Sequence, residues 1–166
     1  MGDGIRTTTN RAQLAVGVLV LLFGTLVYVL ERPVHGAPFF SAVSLSHLFP
    51  GVFGPIGYSL PTFTHVFAIS LLTAAWFGGG RRVGLVACLG WFGVDVVFEI
   101  GQYAPFAHRL AAGIPRWLDG MPILGRADSY FLHGTFDIWD LLSIALGAAA
   151  AHFVIRCTAP KERHDD

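Results

Sequence analysis

Two carboxylates and an amide, Asp95, Glu99 and Gln102, interrupt an otherwise hydrocarbon stretch, VDVVFEIGQY. Spaced by four and three residues, they fall on one face of a helix. A second acidic pair, Asp137 and Asp140, opens GTFDIWDLLS three residues apart, again on one face. The segment PTFTHVFAISLLTAAWFG carries a single ionisable residue, His65. Carboxylates crowded together away from water cannot all stay ionised, so protons, a cation or an arginine must share their space. Oxygen donors of this kind suit Ca²⁺, Mg²⁺ or Mn²⁺, and zinc would add His65, giving His65, Glu99 and Asp140 as the metal-ligand set. The same three residues form the catalytic set of an enzyme, with Glu99 or Asp140 as general base and a metal or His65 assisting. Arg109 and Arg126 lie between the two acidic segments and offer a counter-ion or a phosphate contact. The candidate ligand-binding residues are therefore His65, Asp95, Glu99, Gln102, Asp137, Asp140, Arg109 and Arg126.

Plainer readings stand beside these. Asp137 is equally well placed to cap the N-terminus of a helix, and a histidine on its own is often a hydrogen-bonded packing residue. His47 and His133 could join the acidic groups, whereas His108 and His152 read as structural. Trp76, Trp91, Trp117 and Trp139 suit membrane interfaces or helix packing. Ser59, Ser129 and Ser143 lack a nucleophile signature such as G-x-S-x-G. GGGRR follows no strand and leads to no Gly-Lys-Ser/Thr, so it is a hairpin turn rather than a phosphate loop.

The elements that must position these groups are membrane helices. Of the 166 residues 54% are hydrophobic and only 13% charged, about half the usual charged share of a soluble domain. A net charge of zero with scattered basic residues argues against a nucleic-acid surface. Cys88 and Cys157 lie far apart, and no bridge is inferred. Four segments are apolar enough to span a bilayer, at about 13–30, 61–78, 83–103 and 134–155. The first is too long for a signal-peptide core and reads as a retained helix.

The expected organisation is one transmembrane domain over 13–156 between polar tails, 1–12 and 157–166. Placing both termini inside puts Arg6, Arg11, Arg81, Arg82, Arg156, Lys161 and Arg163 on the cytoplasmic side, against Arg32, Arg109, Arg116 and Arg126 outside. The first outer connection, 31–60, is apolar but broken by Pro38, Pro50 and Pro55. It reads as a short interfacial helix or a re-entrant piece laying Phe39, Phe40, Leu45, Leu48 and Phe49 into the headgroup boundary. The second, 104–133, carries prolines and arginines and either caps the site or only connects helices.

At about 1.5 Å per residue, Glu99 lies about 26 Å from Arg82, Asp140 about 24 Å from Arg156 and His65 about 24 Å from Arg81. Counted this way, three helices bring ionisable groups to one level near the outer edge of the hydrocarbon. Asp95 falls a turn deeper and outside that set. Ionisable groups within a span are functional by default.

His65, then FEIGQ from Phe98 to Gln102, then GTFDIWDLLSIALGA from Gly134 to Ala148, resemble the VanZ-like membrane proteins. That family's pattern is a histidine in one helix, Glu-x-x-Gln in the next, and an Asp-led helix running into glycine. On this chain it falls on His65, Glu99, Gln102, Asp140 and Gly147, with Asp137 just before, and covers about 60–153. Ile144 stands where the family often has asparagine, and only Arg109 or Arg126 could replace an arginine that commonly precedes the aspartate. The resemblance implies a cell-envelope protein, with a family association to glycopeptide resistance but no defined reaction.

The sequence thus predicts an all-α, four-helix integral membrane bundle of the plasma (inner) membrane, N-in and C-in. Its acidic/His pocket faces outward and binds a cation or the polar head of an amphiphile or lipid-linked molecule. An intramembrane hydrolase or transferase acting on a lipid-linked envelope substrate is the alternative. Proton- or ion-coupled transport is the third reading, and so small a chain would need a homo-oligomer for it.

Overall fold

The structure, a computed structural model, describes residues 9–31, 45–49, 51–118, 121 and 127–160. Among these residues it is all helical. The elements are α1 (Arg11–Glu31), α2 (Ile56–Trp76), α3 (Arg81–Gly101), α4 (Ala104–Gly113), a short 3₁₀ turn (Arg116–Leu118), α5 (Ala127–His133) and α6 (Ile138–Thr158). Four of them, α1, α2, α3 and α6, have 21 residues each and are long and apolar enough to cross a membrane. A helix of that length rises about 30 Å, the thickness of the hydrocarbon core. Residues that a soluble bundle would bury face outward here, among them Leu19 at 66% exposure and Val86 at 71%. Such surfaces are compatible with lipid rather than water, and they mark a multi-pass membrane protein.

The helix bounds depart from the sequence reading where local chemistry was misjudged. α2 begins at Ile56 and runs through Pro61 instead of starting there. Proline leaves the carbonyl one turn earlier, that of Gly57, without its helical donor. The Thr64 hydroxyl donates to the Pro61 carbonyl at 3.0 Å one turn later. α6 begins at Ile138 rather than 134, because Asp137 is its N-cap, accepting from the Trp139 amide at 2.9 Å. The capping role weighed for Asp137 is the one it has. The stretch 104–133, expected as a loop, forms α4 and α5; Pro105 in the first turn of α4 is a helix-start signal that the arginines and other prolines obscured. In the first connection, 45–49 and 51–55 are turns and bends rather than a helix, and Phe39 and Phe40 lie outside the described residues.

α2 is the central helix. It packs against α1, α3 and α6, while α1 meets α6 only slightly. The inner core between α2, α3 and α6 comprises Phe67, Leu71, Ala74, Ala87, Cys88, Ala151 and Ile155. Two glycines set the helix spacing. A methyl group on Gly24 would overlap the Thr64 hydroxyl, and one on Gly147 would come within 2.6 Å of the Phe63 carbonyl oxygen. Backbones that approach this closely are how membrane helices gain packing without a hydrophobic driving force.

At one end of the bundle, polar side chains join three chain segments. The Asn10 side chain donates to the Thr158 carbonyl at 2.9 Å, and its backbone N–H donates to Ala75 O at 3.1 Å. The buried Gln13 amide donates to Gly79 O at 3.0 Å and to the Thr158 hydroxyl at 3.1 Å. The start of α1, the α2–α3 turn and the end of α6 therefore share one end. Gly78 and Gly79 make that turn with φ of 92° and 69°, values that disfavour other residues.

Gly147→Ala should lower the thermal midpoint of the detergent-solubilised chain, since overpacking typically costs about 1–3 kcal/mol. Gly90→Ala, where nothing lies within 4 Å of the added methyl, should leave the midpoint unchanged or raise it. Equal midpoints for the two variants would disprove the close α2–α6 contact.

Candidate functional site

The acidic groups of α3 stand in its last two turns, where the helix dipole disfavours anions. Each has a different remedy. Asp95 pairs with His65 of α2, Oδ2 to Nδ1, at 2.9 Å. Glu99 is only 6% exposed, and its Oε1 accepts the Asp137 backbone N–H at 2.7 Å. A carboxylate of α3 therefore meets the N-terminal end of α6, where unpaired amides and the positive end of the dipole favour an anion. Asp137 caps the same terminus and Asp140 lies in its first turn. The Thr62 hydroxyl of α2 donates to Asp140 Oδ1 at 3.4 Å, a long bond. Three carboxylates from two helices thus gather around one helix start.

The partner of His65 corrects the depth estimate. Residues 77–80 are turn and extended chain, so counting helical rise through them placed His65 too high. Measured from the end of α2 at Trp76, His65 lies eleven residues in, about 17 Å. Asp95 lies fourteen residues into α3 from Arg81, about 21 Å, and Glu99 about 27 Å. His65 therefore meets Asp95, the carboxylate that the depth count and the family pattern had both left aside. Glu99 and Asp140 stand about a turn further up.

His65 is held on two sides and open on a third. Its ring stands edge-on to Trp91, with centroids 6.4 Å apart. The Trp91 indole N–H donates to the Thr73 hydroxyl at 3.0 Å, fixing that tryptophan between α2 and α3. The imidazole is 49% exposed, whereas the Asp95 carboxylate is 13% exposed. Nε2 has no partner among the described residues. Along α2, His65 shares a stripe with Tyr58, Ile69 and Trp76, on the side between α1 and α3, two helices that α2 separates. The exposed Tyr58 and Trp76 mark the two ends of that stripe, so the open edge of the imidazole lies on the outer surface of the bundle.

The remaining expected residues are placed as follows. Gln102 donates to the Tyr130 hydroxyl at 2.9 Å and lies over Gly134, joining α3 to α5 and to the chain entering α6. Arg109 is on α4, beside an apolar groove, and forms no ion pair with a carboxylate among the described residues. It is not the counter-ion of the acidic cluster. Arg126 lies outside the described residues. His133 pairs locally with Ser129 at 3.2 Å, and His47 and His108 are exposed. His65, Glu99 and Asp140 do not assemble as a metal centre: among the described residues, no three His, Cys, Asp or Glu side chains stand together as ligands for one ion. His65 turns to Asp95, Glu99 to the Asp137 amide and Asp140 to Thr62.

Thr62 escaped the sequence reading, and Trp91 was read only as an interface or helix-packing residue. Thr62 was findable, being three residues before His65 on the same helical face; the Trp91 contact to Thr73 has no local signal. Compared with known protein families, curated proteins and solved structures, the chain matches none.

Replacing Glu99 by leucine should destabilise the protein by about 1–3 kcal/mol, because it strands the Asp137 N–H and the first turn of α6. Glu99→Gln keeps a carbonyl acceptor and should lose less than half as much. Thermal unfolding in detergent reads both variants, and a leucine variant as stable as wild type would refute the Glu99–Asp137 joint.

Proposed function

We propose that the chain is a VanZ-like protein of the plasma membrane that binds the polar head of a lipid-embedded molecule at the His65–Asp95 pair. The observation that carries this reading is the half-exposed imidazole on the bilayer-facing side of α2, braced by a largely buried carboxylate. A polar pair within a hydrocarbon span costs a few kcal/mol on insertion scales and is worth keeping where it meets a ligand. Its opening is lateral, so the ligand arrives through the lipid. The Asp95 carboxylate beside the imidazole, with Glu99, Asp137 and Asp140 about a turn further up, supplies oxygen acceptors, which suits a head rich in hydroxyl or ammonium donors. The positions of the VanZ-like pattern, His65, Glu99, Gln102, Asp140 and Gly147, all belong to contacts that join α2, α3, α5 and α6. Arg81 and Arg82 beside the tight 77–80 turn, with the start of α1 and the end of α6 at the same end of the bundle, support N-in, C-in insertion. The described parts of the first connection, 45–49 and 51–55, would then lie at the outer interface.

A photoactivatable alkyl glucoside, presented to the full chain in nanodiscs, should crosslink along the Tyr58–Ile69 stripe. His65→Gln, whose amide can still donate to the largely buried Asp95 carboxylate, should cut the yield about tenfold while the thermal midpoint stays near that of wild type. Adducts spread evenly over the lipid-facing surface, or undiminished by the substitution, would rule the site out.

A second reading has its own support. A carboxylate that holds Nδ1–H leaves Nε2 as a general base, the arrangement an intramembrane hydrolase or transferase needs. Under it, Asp95→Asn should reduce turnover of an envelope-lipid extract, followed by mass spectrometry, roughly 100-fold or more while crosslinking persists. Wild-type protein that leaves the extract unchanged would refute catalysis and leave the binding reading intact.

A further inference from the structure

On the side of α3 away from Asp95 and Glu99, a groove of about 260 Å³ lies between the end of α3 and α4. Val97, Ile100 and Gly101 form one wall, and Phe106, Arg109 and Leu110 the other. The two sets follow from helical periodicity. Val97 stands two residues from both Asp95 and Glu99, which turns it to the opposite face of the helix, while Phe106, Arg109 and Leu110 at i, i+3 and i+4 share one face of α4. The lining is almost wholly hydrocarbon, and Arg109 is the one charged residue among those that form it.

We infer that this groove is a binding site for an anionic phospholipid, with an acyl chain against Val97, Ile100, Phe106 and Leu110 and the phosphate on Arg109. Its volume falls just below the roughly 300–1,000 Å³ of pockets that enclose whole drug-sized ligands, so it takes one chain of a larger molecule. Water gains nothing in an apolar groove, and the bilayer supplies chains at high local concentration. Charge complementarity selects among lipids. Arg109 is exposed, has no acidic partner among the described residues, and lies on a helix of ten residues, too short to span and suited to the headgroup level. A guanidinium binds phosphate oxygens through paired N–H donors, and at the membrane surface one such residue favours anionic over zwitterionic lipid roughly fivefold. The site is separate from His65–Asp95 and stands whether or not that pair binds a ligand.

The full chain in nanodiscs of equal phosphatidylglycerol and phosphatidylcholine, released into mild detergent and weighed by native mass spectrometry, tests the inference. Wild type should retain phosphatidylglycerol roughly fivefold over phosphatidylcholine. Arg109→Gln should bring the ratio to parity while still carrying lipid, and Val97→Trp, which fills the groove from its exposed edge, should carry neither. His65→Gln should keep the wild-type ratio, so failure of the polar-head reading is seen separately. Circular dichroism of each variant confirms that helicity is retained. Equal retention of the two lipids by wild type, a preference surviving Arg109→Gln, or a lipid-free dimer in place of a lipid-bound chain would each overturn the assignment.

Discussion

The contact between the Glu99 carboxylate and the backbone N–H of Asp137 governs the upper half of this bundle. It solves two problems at once. A carboxylate near the C-terminal end of α3 is opposed by that helix's own dipole, and the first amides of α6 lack acceptors. Bringing the two together at 2.7 Å satisfies both inside a region with little water. The position of α6 against α3 follows, and with it the reach of Asp140 to Thr62 and the placement of Gln102 over Gly134. Acidic residues that look extravagant in a membrane sequence are here partly a means of seating one helix end on another.

The same division explains why the acidic residues are not equivalent. Glu99 and Asp137 are engaged in backbone contacts that define the fold. Asp95 engages a side chain, and that side chain remains open to the bilayer. Function is more readily sought where a polar group is braced but not enclosed than where it is fully used. His65 meets that description and Glu99 does not.

The four spans and the all-helical class were legible because an apolar run near 20 residues has few other uses. The Asp137 cap was legible too, as one of two readings its residue type allows. The short helices after α3 were not, since prolines and arginines dominate 104–133 and the apolar spacing of Phe106, Ala107 and Leu110 extends over a single turn. Nor was the His65–Asp95 pairing. Depth along a helix can be counted from sequence, but the count fails when it passes through a turn such as 77–80, whose residues do not advance at helical rise. An error of one turn was enough to exchange Asp95 for Glu99 as the partner.

The Asn10–Gln13–Thr158 cluster has a consequence for how the chain is assembled. Its donors sit at the very start of the first helix and its acceptors at the α2–α3 turn and the last residue of the final helix. The ribosome delivers these pieces at opposite ends of synthesis. Until α6 is inserted, the Asn10 side chain lacks its Thr158 acceptor and the Gln13 amide has only Gly79 of its two. The clasp therefore closes only when the last helix is in place: without residue 158, the Asn10 side chain and one Gln13 donor have no partner from α6.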